Sequence, residues 1–152
     1  MRDKRFVAKH RGGPLTKERH FQLMKWACDC SRHVLPLFGK KMNKQLTHAL
    51  VVGMEWTKGK ASVGDARNAA VVAHAVARES NNPVAVAVAR SVGHAVATAH
   101  MADHSLGAAL YALKALKSAE KPIDAERRWQ NNRLPAAVKK LVISAREKKS
   151  KR

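Results

Sequence analysis

Histidines are the residues of this 152-residue chain whose types and spacing could do chemistry. On an ideal helix, at about 100° per residue, His94, His100 and His104 fall within roughly 120° of arc. His100 and His104 form an i, i+4 pair, close enough to share a ligand. Asp103 adjoins His104, and Arg90 precedes His94 by one turn. His74 and His94 each open the string His-Ala-Val-Ala, 20 residues apart, with Arg67 seven residues before the first and Arg90 four before the second. Three chemistries fit this polar seam. Buried imidazoles could hydrogen-bond between helices. Arg67, His74, Arg90, His94, His100, Asp103 and His104 could line a pocket for a small anion such as a nucleotide or signalling oligonucleotide. A metal is the third, but zinc needs three or four ligands and nothing else supplies them, so no metal or cofactor is expected. Gly107 is expected to kink the helix between His104 and Tyr111.

Catalysis has less support. The chain has no GxSxG, HExxH, CxxC or phosphate-binding glycine loop. Asp65 and Arg67 read as a helix-start charge and a salt bridge. Cys28 and Cys30, two apart on a helix, point to nearly opposite sides, so neither a disulfide nor a shared metal is expected. Both read as buried thiols. The chain is expected not to be an enzyme.

The elements that must position the seam are helices. Residues 61–119 are almost wholly alanine, valine and small polar residues, and alanine has the best helix propensity. The strong break inside is Asn81-Asn82-Pro83, an N-cap followed by a proline suited to the first turn. Helices are expected near 64–80, 83–101 and 104–118, as an antiparallel hub of small side chains. Before it, Thr16 caps 17–34, with Leu23, Ala27, Cys30 and Val34 as one apolar stripe, and Pro36 ends it. Asn43 caps 44–58, and Gly59 ends that helix. After the hub, Asp124 is expected to cap 125–132, and 136–147 buries Val138, Leu141, Val142 and Ala145. Val84–Ala89 alternates only between two apolar types, so it reads as helix rather than strand. The fold class is all-α, a single domain over 1–152 of six or seven helices. Residues 1–15 form a basic arm docked through Phe6, and 148–152 a fraying basic tail.

Charge is the largest compositional signal, a formal +19. Residues 1–60 carry 14 Lys/Arg against 4 Asp/Glu, residues 61–112 carry 3 of each, and residues 113–152 carry 13 against 4. A neutral hub with basic flanks suits a polyanion or an acidic protein. Aromatic residues are only 5% and no nucleic-acid motif appears, so non-specific nucleic-acid binding ranks behind solubility or an acidic partner. No apolar run approaches the roughly 18 residues of a membrane span, and the basic N-terminus lacks an apolar signal core. No membrane contact and a cytoplasmic location are expected. Ala-rich faces leave a homodimer open.

Three blocks carry a family resemblance. They are Trp26–Cys30 with His33–Phe38, Val63–Arg67, and Ala89–Ala108. Together the chain resembles the bacterial immunity-five-like family of polymorphic toxin systems. The resemblance implies a non-enzymatic protein that neutralises a cognate toxin by binding it. It carries over no functional residues. Inhibitors of nucleases mimic polyanions and tend to be acidic, so the basic charge implies a toxin of another kind or a different role.

Overall fold

Among the described residues, seven α-helices form in the order that the caps and breakers dictate. The computed structural model describes residues 2–39, 41 and 43–150. Thr16 Oγ1 accepts from the Arg19 N–H and starts α1 (Lys17–Val34). Asn43 accepts from Leu46 N–H at the start of α2 (Lys44–Thr57). Ser62 and Asp65 make a reciprocal capping box for α3 (Val63–Glu79). Asn82 accepts from Val84 N–H, and Pro83 opens α4 (Pro83–Ala97). Each cap satisfies an N–H that the helix itself cannot, a contribution of about 1 kcal/mol. Then come α5 (His104–Ser118), α6 (Asp124–Asn132) and α7 (Ala136–Ser150).

The centre of the bundle is α4. Ten of its residues are buried, and none of the ten is larger than valine. It packs on α3, α5, α1 and α2. Ser91 sits opposite Ala108, and His94 opposite Gly107, so α4 and α5 run antiparallel. The middle of this contact is a hydroxyl relay. Ser91 Oγ donates to the Ala108 carbonyl at 2.8 Å. Its hydroxyl hydrogen is then used, so Ser31 Oγ of α1 donates to Ser91 Oγ, also at 2.8 Å. Both serines are fully buried. One relay joins three helices where an unpaired hydroxyl would cost about 1–3 kcal/mol.

Two apolar clusters lie on either side of α1. Met24, Ala27, Cys28 and Val34 face α2, α3 and α4. Leu23, Trp26 and Cys30 face Phe6, Leu106, Val138 and Val142. The expected single stripe on α1 is therefore split, because that helix is covered on both sides. The two thiols do point apart, each into its own cluster and each free. Burial pushes Cys28 up to about 12 and raises Cys30 as well.

Several boundaries differ from expectation. The helix expected to reach 101 ends at Ala97 with no glycine or proline to stop it. His20 Nε2–H of α1 donates to the Thr98 carbonyl at 2.6 Å, taking the acceptor that another helical turn would use. Residues 98–100 tighten instead into i→i+3 bonds. Asp124 does not cap α6; it lies in the first turn, behind Ile123, and pairs with Arg127 at 3.3 Å. Asp65 makes the capping box rather than a salt bridge to Arg67. α7 runs to Ser150, past the expected 147. The segment expected as an arm is folded into short turns at Lys4–Phe6 and Lys9–Arg11, with Phe6 fully buried as its dock. Arg5 holds it to α7 through Ser144 Oγ at 3.1 Å. Met1 of that arm, and 151–152 of the expected tail, lie outside the described residues. Among the described residues no helix is long and apolar enough to cross a membrane.

Trp26 Nε1–H donates to the Gln130 carbonyl at 2.8 Å and fastens α1 to α6. Trp26→Phe removes that donor and leaves the Gln130 carbonyl only the longer bond from the Arg133 N–H, at 3.2 Å. A loss of about 2 kcal/mol is expected in urea unfolding at unchanged m-value. A loss below about 0.5 kcal/mol would show that the joint adds little.

Candidate functional site

The seam assembles across three helices and one turn, not along a single helix. His74 comes from α3, Arg90 and His94 from α4, His100 from the turn, and His104 opens α5. Arg90 Nη1–H donates to His74 Nδ1 at 2.7 Å, which fixes the His74 proton on Nε2. The His74 and His94 rings meet edge-on with centroids 5.4 Å apart. His94 Nδ1 lies 3.2 Å from His104 Nδ1, so one of the two nitrogens carries the hydrogen and the other accepts. His100 continues the chain of rings, 5.4 Å from His104. Asp103 and Arg67 act by their fields, Asp103 on His104 and Arg67 on His100. Five of the seven expected residues, His74, Arg90, His94, His100 and His104, thus form one chain of contacts, and Asp103 and Arg67 stand outside it. Sequence reasoning gave Tyr111 no place in it, yet Tyr111 stacks on His94 at 5.1 Å. The signal was available: Tyr111 is two helical turns from His104 and on the same face.

Glycine makes room for these rings. A Cβ at Gly93 would lie 2.6 Å from His74 ring atoms, and one at Gly107 would lie 2.6 Å from His94 Nδ1. α5 runs unbroken through Gly107, whose missing side chain leaves room for the His94 ring. The rings are held neutral. Burial, then the charges of His104, His74 and Arg90, lowers His94 to about 4. Burial is also the first cause of the downward shifts of His74, His100 and His104. At the solvent end, Arg2 Nε stands 3.8 Å from Asp103 Oδ2. His100 Nδ1, Asp103 Oδ1 and Arg2 Nε are each buried without a hydrogen-bond partner among the described residues. Among the described residues, no three His, Cys, Asp or Glu side chains are placed to hold one metal ion.

The open grooves lie elsewhere. One of about 580 Å³ runs between α2 and α3, over Ala49, Val52 and Val72, with Lys44, Lys60, Glu55 and Asp65 around it. Another, about 630 Å³, lies between α5, α6 and α7, with Leu110 and Ile143 open to it, the buried Leu106 beneath them, and Arg127, Arg146 and Lys149 at its edge.

The remaining motif residues are joints. His33 Nδ1–H donates to the buried Glu126 Oε2 at 2.6 Å, and its ring stacks on Trp129 at 3.7 Å. Asp29 reaches Arg133 at 3.2 Å. With Trp26, these bind α1 to the α6 region. The 89–108 block supplies the serine relay, Gly93 and the His94–His104 contact. Residues 13–137 match a family model described as "Imm-5 like putative immunity protein". No curated protein and no solved structure matches the chain.

Two measurements check this geometry. Glycine to alanine inside a helix normally gains about 1 kcal/mol, but the His74 ring occupies the space at Gly93. Gly93→Ala is expected to destabilise by about 1–3 kcal/mol, and to become neutral or stabilising when paired with His74→Ala. Equal costs in both backgrounds would refute the contact. The second is pH dependence. His94 titrates near 4 in the fold against 6.5 unfolded. Below 6.5 the unfolded chain takes a proton that the fold refuses, so stability is full above that pH and falls towards 4. His94→Gln is expected to flatten the fall of Tm between pH 6.5 and 4.5; an unchanged slope would show that His94 is not held neutral.

Proposed function

This chain belongs to the Imm-5-like immunity family, and from that premise we propose that it neutralises a bacterial toxin by binding it directly, with no chemistry of its own. The observation that carries this reading is how residues inside the matched stretch are used. Trp26, Asp29, His33, Ser91, Gly93 and His94 make contacts between helices. None is left as a nucleophile or acid beside an open cleft, and what reaches solvent is a fixed cationic surface. The charge supports an acidic partner face. Among the described residues, five arginines and no lysine take part in ion pairs, so most of the positive charge is uncommitted. Such a field speeds encounter with an acidic surface and does so less at high salt.

Capture of a small anion by the seam is the weaker reading. Its four imidazoles are held neutral, which leaves Arg2, Arg67 and Arg90 as the cations for a ligand, and Arg90 already donates to His74. The enclosed, unpartnered atoms of His100, Asp103 and Arg2 are what favour it.

Co-expression with the product of the toxin gene beside its own is expected to restore growth, and the two proteins to co-purify. Titration with purified proteins separates binding from turnover. Protection is expected to saturate at a fixed molar ratio; protection by strongly substoichiometric amounts would mean an enzyme, and failure to protect at any ratio would sink the reading.

A further inference from the structure

Arg146 is a half-buried cation that pairs with no anion among the described residues. Nη1 donates to Asn131 Oδ1 at 2.9 Å and Nη2 to Gln130 Oε1 at 2.7 Å, both neutral amides. The guanidinium also lies over the Trp26 ring, 5.9 Å from its centroid. Two of its five N–H groups are used. Among the described residues, Glu126 pairs with His33, Asp29 with Arg32 and Arg133, and Asp124 with Arg127, and none of these acids pairs with Arg146. Glu147 lines the same groove but, one residue on, projects about 100° away around α7 and makes no ion pair with Arg146. Burial lowers the Arg146 pKa, and the neighbouring Arg127 lowers it further. A cation left so is costly until an anion reaches it.

The ground around it is apolar. Leu106, Leu110 and Ile143 line the groove, and Leu110 is 49% exposed. Arg127 and Lys149 add positive charge at the edge. An apolar floor beside an arginine that lacks a counter-ion is the chemistry of an interface anchor. The α2–α3 groove lacks this polarity, because Glu55 and Asp65 offset Lys44 and Lys60 there.

We propose that the α5–α6–α7 groove is the toxin-docking face, where an apolar side chain of the toxin seats on Leu106, Leu110 and Ile143 and an adjacent toxin carboxylate pairs with Arg146. This rests on the toxin-binding reading above and names its surface.

The test uses the full chain and the product of the adjacent toxin gene, with growth protection and binding affinity as readouts. Three variants are compared with the wild type: Arg146→Met, Leu110→Glu, and Val71→Glu on the outer face of α3, where Val71 is 62% exposed. Folding is checked by circular dichroism. Leu110→Glu decides the matter if Arg146→Met, having lost its bonds to Gln130 and Asn131, fails to fold. Both groove variants are expected to bind at least tenfold more weakly and lose protection, while Val71→Glu keeps both. A folded groove variant that protects like the wild type would overturn the proposal and leave toxin binding intact, as would an equal loss from Val71→Glu. A wild type that fails to protect would remove the toxin-binding reading, and this surface with it.

Discussion

Everything in this fold depends on how closely α4 is approached by its neighbours. A helix surrounded on most sides has no solvent face to carry long side chains, and its buried positions accept nothing larger than valine. Small side chains bury little apolar area each. The stabilisation must come instead from many close contacts between backbones and from a few well-made polar joints. The Ser31–Ser91–Ala108 relay is one such joint, and it forms only because all three helices come within hydrogen-bonding reach. Gly93 and Gly107 serve the same constraint, giving up a side chain so that an imidazole can lie there.

That constraint also decides what the histidines are. An imidazole packed on glycine, against a second imidazole and a tyrosine, sheds water on most sides and is held neutral. It can then act as donor and acceptor at once, bridging helices without bringing a charge into the hub. The one cation in direct contact, Arg90, is oriented by His74. The residues that looked most like chemistry in the sequence therefore make the best interhelical links.

The helices were legible because their boundaries are written locally: Thr16, Asn43 and Asn82 at the starts, Pro83 and Gly59 beside them. The end of α4 was not. It is set by His20, more than seventy positions earlier in the chain, whose bond to the Thr98 carbonyl no local pattern announces. The seam's membership was legible from type and spacing, but its geometry was not, since one helical run of 94–104 was assumed where a turn intervenes. The packing of His74 on Gly93, and the two-sided burial that splits the α1 stripe, follow from tertiary contact alone. Arg146 was hidden for another reason: in a basic C-terminal region it is one cation among many, and only the absence of a counter-ion around it marks it out.

The basic charge leaves two classes of partner, and the aromatic residues separate them. Binding single-stranded nucleic acid without sequence preference calls for exposed rings on which bases can stack. Here Trp26 is buried, Trp129 is covered by His33 on one side and Arg133 at 5.4 Å, and Trp56 packs edge-on with His20 and Phe21. Tyr111 stacks on His94 with Lys114 over its ring at 4.8 Å. Every tryptophan and the single tyrosine are thus already engaged within the fold. Lysines beside apolar grooves fit the acidic protein face proposed above better than a flexible strand, which would itself have to be ordered on binding.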